Sequence, residues 1–114
     1  GFDSVLIGGR AQADLEAVAE VERSCRTAPA MLAGQTTIRE LIALLSLAEA
    51  HVGGDTGSTH LMAALGRPAI GLYSITRPQR SCPYGQIERC LYDPQALAAI
   101  HPEAVMAKLE QALT

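Results

Sequence analysis

Val52-Gly53-Gly54-Asp55-Thr56-Gly57-Ser58-Thr59-His60-Leu61-Met62-Ala63-Ala64-Leu65-Gly66-Arg67-Pro68 sets a strand end, a glycine-rich turn and a helix start in direct succession. In open parallel sheets ligands bind at the carboxyl ends of strands. The unpaired N–H groups and positive dipole end of a helix there suit an anion such as a diphosphate. Gly57 has no Cβ to hold such an anion away. Thr56, Ser58 and Thr59 offer hydroxyl donors, and Asp55 offers acceptors for sugar hydroxyls. The spacing alone leaves a plainer reading open: Asp55 and Ser58 also suit turn and cap positions, and His60 a part-buried place in a helix. The pattern is neither Gly-x-Gly-x-x-Gly nor a Walker loop, so by itself it says only that an α/β ligand loop is present.

Outward from this turn, strands and helices alternate. Val5-Leu6-Ile7 is a short apolar run that ends at Gly8-Gly9. Residues 11–24 space Leu15, Val18 and Ala19 along one face among acidic neighbours, which predicts a helix with one buried stripe. Ala30-Met31-Leu32 makes a second short strand closed by Gly34. Thr37-Ile38-Arg39-Glu40 is a capping box that starts a helix over residues 37–48, and Leu41, Leu44, Leu45 and Leu47 predict that it is almost wholly buried. Residues 50–53 then read as a strand, 58–65 as a helix and 69–73 as a strand. Residues 74–84, with Pro78, Pro83, Arg77 and Arg80, read as a long functional loop. A last strand is predicted over 88–92 and a terminal helix over 102–113, with Pro102 in its first turn. Alternation of this kind implies an α/β, Rossmann-like parallel sheet with helices on both faces.

A chain of 114 residues is the size of one domain or a piece of one. Apolar residues make up 48% and charged residues 18%, enough to bury a core. Aromatics are 4% with no Trp, which predicts a core of Leu, Ile, Val and Ala. Net charge is −3 with a pI near 5.5, and no run of Lys or Arg is present, so a nucleic acid partner is not expected. No apolar run approaches the roughly 18 residues that span a bilayer, which predicts a soluble chain. Cys25, Cys82 and Cys90 are odd in number and lack Cys-x-x-Cys spacing, so neither a disulfide framework nor a metal site is expected.

The run from Gly54 to Pro68, continued by Gly71-Leu72-Tyr73-Ser74-Ile75-Thr76-Arg77-Pro78 and Pro83-Tyr84-Gly85, closely resembles the ADP-heptose:lipopolysaccharide heptosyltransferases, glycosyltransferase family nine. That family reads Asp-Thr-Gly-x-x-His-Leu-Ala-Ala-Ala, a strand, then Tyr-Gly-Pro-Thr-x-Pro and a Tyr-Gly. The resemblance implies the C-terminal, donor-binding half of a B-type glycosyltransferase that transfers heptose with inversion from ADP-heptose to the lipopolysaccharide inner core. It also implies that no metal or other cofactor is needed. Asp55, Thr56 and Gly57 would meet the sugar and diphosphate, with Ser58 and His60 in the same pocket. Gly34, Thr36 and Thr37 fall where relatives contact the adenosine, and Gly8 and Gly9 match the turn that borders the ribose. The implied place is the cytoplasm, at the inner face of the inner membrane.

Departures from the pattern carry their own expectations. Relatives place an acidic residue shortly after the first glycine turn, where this chain has Arg10-Ala11-Gln12-Ala13, and Ser74-Ile75-Thr76 stands where Gly-Pro-Thr is common. On this resemblance the acceptor domain, with its catalytic base, lies outside these residues. So do the donor domain's first strand and helix, with a lysine that relatives place on the phosphate. No residue here is assigned as a catalytic base. The piece alone is expected to bind donor weakly, to transfer no sugar, and to self-associate through an uncovered sheet edge. Arg77 and Arg80 suit either a phosphate or an acidic acceptor, or plain solvation. Two other functions stay open: a different enzyme on the same fold, either a glycosyltransferase of another donor class or a sugar-nucleotide epimerase, which the Asp-Thr-Gly form of the loop leans against, and a non-catalytic nucleotide-sugar-binding or interaction module.

Overall fold

The strand and helix flanking Asp55 form where the glycine-rich stretch puts them, in a computed structural model that describes residues 3–113. The chain divides into two compact units, Gly1–Glu40 and Leu41–Thr114. Among the described residues every strand pairing is parallel, as an α/β alternation demands, and the pairings form one group of two strands and one of three.

In the first unit, β1 (Val5–Leu6) pairs with β2 (Ala30–Met31), and α1 (Gln12–Ser24) connects them. The pairing runs on past both strands, because the Gly34 amide donates to the Gly8 carbonyl at 2.9 Å. That bond brings the two glycine turns together. Gly34 has a φ of 72°, a left-handed conformation that glycine adopts at little cost. The predicted stripe on α1 serves these turns: Val18 fills the space over Gly8, and Leu15 the space over Gly34. No residue of α1 is fully buried, however, and Leu15 remains 40% exposed.

Helix α2 (Ile38–Leu47) begins with the capping box that the sequence encodes. The Thr37 amide donates to Glu40 Oε1 at 2.9 Å, and the Glu40 amide donates to Thr37 Oγ1 at 3.2 Å. The first of these bonds holds the Glu40 carboxyl below the usual carboxylate range. Thr37→Ala is expected to lower stability by about 1 kcal/mol in urea titration, the typical cost of losing an N-cap hydroxyl. An unchanged midpoint would show that the box is ornamental. The prediction of an almost wholly buried helix is corrected: only Leu45 is buried, at 2% exposure, while Ile38 and Leu47 are 62% and 82% exposed. Leu41, Leu44 and Leu45 share one face at helical spacing, and Leu47 lies off it.

The second unit is a three-stranded parallel group in the order β3 (His51–Gly53), β4 (Ala69–Tyr73), β5 (Cys90–Tyr92). Flanked on both edges, β4 is the apolar run Ala-Ile-Gly-Leu-Tyr, as a covered parallel strand must be. Helix α3 (Gly57–Ala64) joins β3 to β4 and buries Thr59, Met62 and Ala63. The loop after β4 is less irregular than its two prolines suggested: Pro78 opens a single helical turn, α4 (Pro78–Ser81). The terminal helix, α5 (Pro102–Leu113), has the predicted bounds. Among the described residues no helix is long and apolar enough to cross a membrane.

Two features of this unit overturn the expectation of a purely aliphatic core. Tyr73 is the largest fully buried side chain, and its hydroxyl donates to the Ser81 carbonyl at 2.7 Å, which satisfies the one polar atom that would oppose burial. Gln86 is buried too, accepting from the Ala69 amide and donating to the Arg67 carbonyl, each at 2.8 Å. It therefore closes the entry to β4 with side-chain bonds in place of ladder bonds.

Candidate functional site

The turn between β3 and α3 is short, so its polar residues crowd. Thr56 is the N-cap residue of α3, in extended conformation, and its side chain makes no capping bond. Among the described residues the amides of Gly57, Ser58 and Thr59 meet no protein acceptor, as the first turn of an uncapped helix requires. The Thr56 amide does not join them: it turns back onto the Gly54 carbonyl at 2.9 Å. The run of free amides thus starts at Gly57, within the Asp55-Thr56-Gly57 stretch that the resemblance assigns to the sugar and diphosphate. A Cβ on Gly57 would meet nothing within 4 Å, so the space beside Gly57 is open.

Asp55 is held in place from several directions. Its Oδ1 pairs with His60 Nε2 at 2.8 Å, one turn into the helix, and its Oδ2 accepts from Thr76 Oγ1 at 3.2 Å. The hydrogen bond from His60, with smaller help from Thr76, the His60 charge and Ser81, outweighs partial burial and holds the Asp55 carboxyl below the usual aspartate range. Asp55, Thr56, Gly57, Ser58 and His60 are therefore brought together, as the sequence reading grouped them. The structure adds Thr76, which fastens the loop after β4 to the turn. That loop carries Arg77 and Arg80, which line an open cavity with Ile75, Thr76 and Gln79. Among the described residues neither arginine forms an ion pair.

Behind the turn lies a row of hydroxyls. Ser58 Oγ is 3.2 Å from Thr56 Oγ1, which is 3.2 Å from Thr59 Oγ1, and the Thr59 hydroxyl donates to the Gly54 carbonyl at 2.8 Å. At the far end His51 Nε2 lies 3.0 Å from Ser58 Oγ. In the sequence His51 is marked only as a residue of the strand read over 50–53.

In the first unit, Gly8, Gly9 and Gly34 come together as a pair of glycine turns. The Arg10 Nε donates to the Gly34 carbonyl at 3.0 Å. A carboxylate is present after all: a Cβ on Gly9 would lie 2.6 Å from Asp14 Oδ2, which places the Asp14 side chain over that turn. Asp14 lies in the first turn of α1, just past the segment where the sequence showed no acid. Thr36 follows β2 and is half-buried. Thr37 is largely committed to its capping box, and its hydroxyl proton is what remains for a ligand.

No role is assigned to the cysteines. Cys25, Cys82 and Cys90 are free thiols. Burial, with the neighbouring Cys82, pushes the Cys90 thiol up to about 11. Among the described residues no three of His, Cys, Asp and Glu gather closely enough to hold a metal ion.

Comparison with known proteins bears on what this geometry serves. The profile of glycosyltransferase family 9 (heptosyltransferase) matches residues 1–109. Over 84 residues the chain is 33% identical to the lipopolysaccharide core heptosyltransferase OpsX of Haemophilus influenzae, a match that covers 74% of this chain and 24% of the relative. It is 38% identical over 77 residues to a lipopolysaccharide heptosyltransferase 3 of Escherichia coli, covering 67% and 23%. The solved structure of E. coli ADP-heptose lps heptosyltransferase II superposes with a TM-score of 0.83 at 28% identity, over 99% of this chain and 37% of that one. A glycosyl transferase family 9 structure from Veillonella parvula gives the same TM-score at 24% identity, which bears on fold alone. The chain spans about a quarter of the length of these curated relatives.

Proposed function

The chain belongs to glycosyltransferase family 9, and from that premise we propose that it is the donor-binding part of an inverting enzyme that transfers heptose from ADP-heptose to the lipopolysaccharide inner core. The single observation that carries the reading is the trio of unpaired amides at Gly57, Ser58 and Thr59, with open space beside Gly57 and a fixed carboxylate at Asp55. In such a transfer an acceptor hydroxyl attacks the anomeric carbon as the bond to the diphosphate breaks, and ADP leaves with the electron pair. The amides and the dipole of α3 would bind the diphosphate and stabilise the charge it gains. Asp55 would accept hydrogen bonds from heptose hydroxyls, and His60 would orient Asp55 and line the same pocket. In the first unit Gly8, Gly9, Gly34, Thr36 and Thr37 would take the nucleoside, with Asp14 supplying acceptors for ribose hydroxyls.

The base that takes the acceptor proton is not assigned to this chain. We place that base, and the lipopolysaccharide contacts, in an acceptor domain of the intact enzyme. The proposed setting is the cytoplasmic face of the inner membrane, where both substrates would be met.

Calorimetry on the intact protein with ADP and ADP-heptose tests the reading. Saturable binding of both supports it, and binding of GDP- or UDP-sugars without ADP would reassign the donor. Gly57→Ala sharpens the test. A methyl there strikes no protein atom, so the fold should hold or gain about 0.4–1 kcal/mol from a less flexible unfolded chain. ADP affinity should fall about tenfold if the diphosphate lies close against Gly57, because the methyl would hold it away. Equal affinity in the variant would place the diphosphate elsewhere.

A further inference from the structure

The imidazole of His51 stands part-buried at the end of the hydroxyl row. Its Nδ1 is enclosed and, among the described residues, has no hydrogen-bond partner. His51 and Gly53 lie two apart on β3 and so share a face of the strand. The ring lies over Gly53: a Cβ there would come within 2.6 Å of His51 Cε1 and 2.9 Å of Thr59 Oγ1. The absent side chain at position 53 is the room in which the ring reaches Ser58, with Nε2 and Oγ 3.0 Å apart.

The direction of the hydroxyl row follows from its two ends. The Thr59 proton is committed to the Gly54 carbonyl, so its oxygen can only accept, and Thr56 is the neighbour that donates to it. With its proton so used, Thr56 can only accept from Ser58. With its own proton pointed that way, Ser58 can only accept from His51, which requires the imidazole proton to be on Nε2. The other end agrees. A proton on Nδ1 would be a buried N–H without an acceptor, whereas a bare Nδ1 lone pair is the milder omission. Burial also disfavours the doubly protonated ring.

We propose that His51 is a positioning residue for the diphosphate site: through Nε2–H it keeps the Ser58 hydroxyl a donor, free to turn from Thr56 onto a phosphate oxygen at the start of α3. The opposite tautomer would draw the Ser58 proton back onto the ring and leave a lone pair facing the anion. This inference rests on the donor-binding reading above.

Two measurements on the intact protein test it. Nitrogen-15 NMR of the imidazole, without ligand at neutral pH, should show the Nε2–H tautomer; the Nδ1–H tautomer or the imidazolium overturns the proposal. Calorimetry with ADP should show about a tenfold loss for His51→Leu, the scale of one net hydrogen bond. His51→Gln, whose amide nitrogen can reach the place of Nε2, should stay within about threefold of the unmodified protein. Ser58→Ala should lose as much as His51→Leu, and the double variant little more, because both remove one interaction. If His51→Leu folds poorly, the Gln variant and the NMR signature still decide. Equal ADP affinity in His51→Leu, or no recovery with Gln, sinks this inference alone. Unmodified protein that binds no ADP sinks the donor reading together with it.

Discussion

Asp55→Ala is expected to weaken ADP-heptose binding by about 2–3 kcal/mol, on the order of 100-fold, the usual scale for hydrogen bonds to a charged acceptor. ADP lacks the heptose, so its affinity should change by less than about threefold if Asp55 touches only the sugar. The contrast matters because Asp55 also has a structural job, joining His60 at 2.8 Å to Thr76 at 3.2 Å. If that job dominates, the loop after β4 loosens and both ligands lose affinity together. Parallel losses for ADP and ADP-heptose would remove Asp55 from the sugar contact. The pH dependence follows from the depressed carboxyl. A group whose pKa is lowered on folding contributes stability that is present above its unfolded value and is lost as pH falls through its folded value. As far as Asp55 decides it, donor binding should be level through neutral pH and fade only below the ordinary aspartate range.

The second large effect belongs to the core. Tyr73→Ala is expected to cost about 3–5 kcal/mol in urea or thermal unfolding, the range for deleting a buried aromatic ring. Tyr73 is 1% exposed, and its ring occupies the space over Gly71, where a Cβ would come 2.6 Å from Tyr73 Cε2. Tyr73→Phe separates packing from anchoring. It keeps the ring and should cost about 1 kcal/mol, the net worth of one hydrogen bond. That bond, from the Tyr73 hydroxyl to the Ser81 carbonyl, ties α4 back to β4. The same loop carries Thr76 to Asp55, so the Phe variant should also soften donor binding slightly. A Tyr73→Ala protein within about 1 kcal/mol of the unmodified one would show that the ring fills no essential space.

The two glycines at the centre of the second unit repeat one device. Gly53 and Gly71 stand opposite each other in register on β3 and β4, and each leaves room for a ring two residues away on its own strand, His51 and Tyr73. In the sequence Gly53 marks only the end of a strand and Tyr73 belongs to a family motif, and neither pattern shows where the rings lie. Asp14 is hidden in the sequence for a related reason. Residues 10–13 hold no acid, but the start of α1 turns the next residue back over Gly9.

What the amino acids determined unaided was the order of parallel strands and helices, the capping box at Thr37 and Glu40, the bounds of β4 and of α5, and the grouping of Asp55, Thr56, Gly57, Ser58 and His60. Each rests on interactions within about one helical turn or on alternation along one strand, which residue type and spacing encode directly. Tertiary structure alone decided that Gln86 bonds across 17 and 19 residues to open β4, that Thr76 reaches Asp55 across 21, and that Leu47 faces outward while Tyr73 fills the core. Such partners are chosen by which parts of the chain packing brings side by side, and no local pattern carries that information.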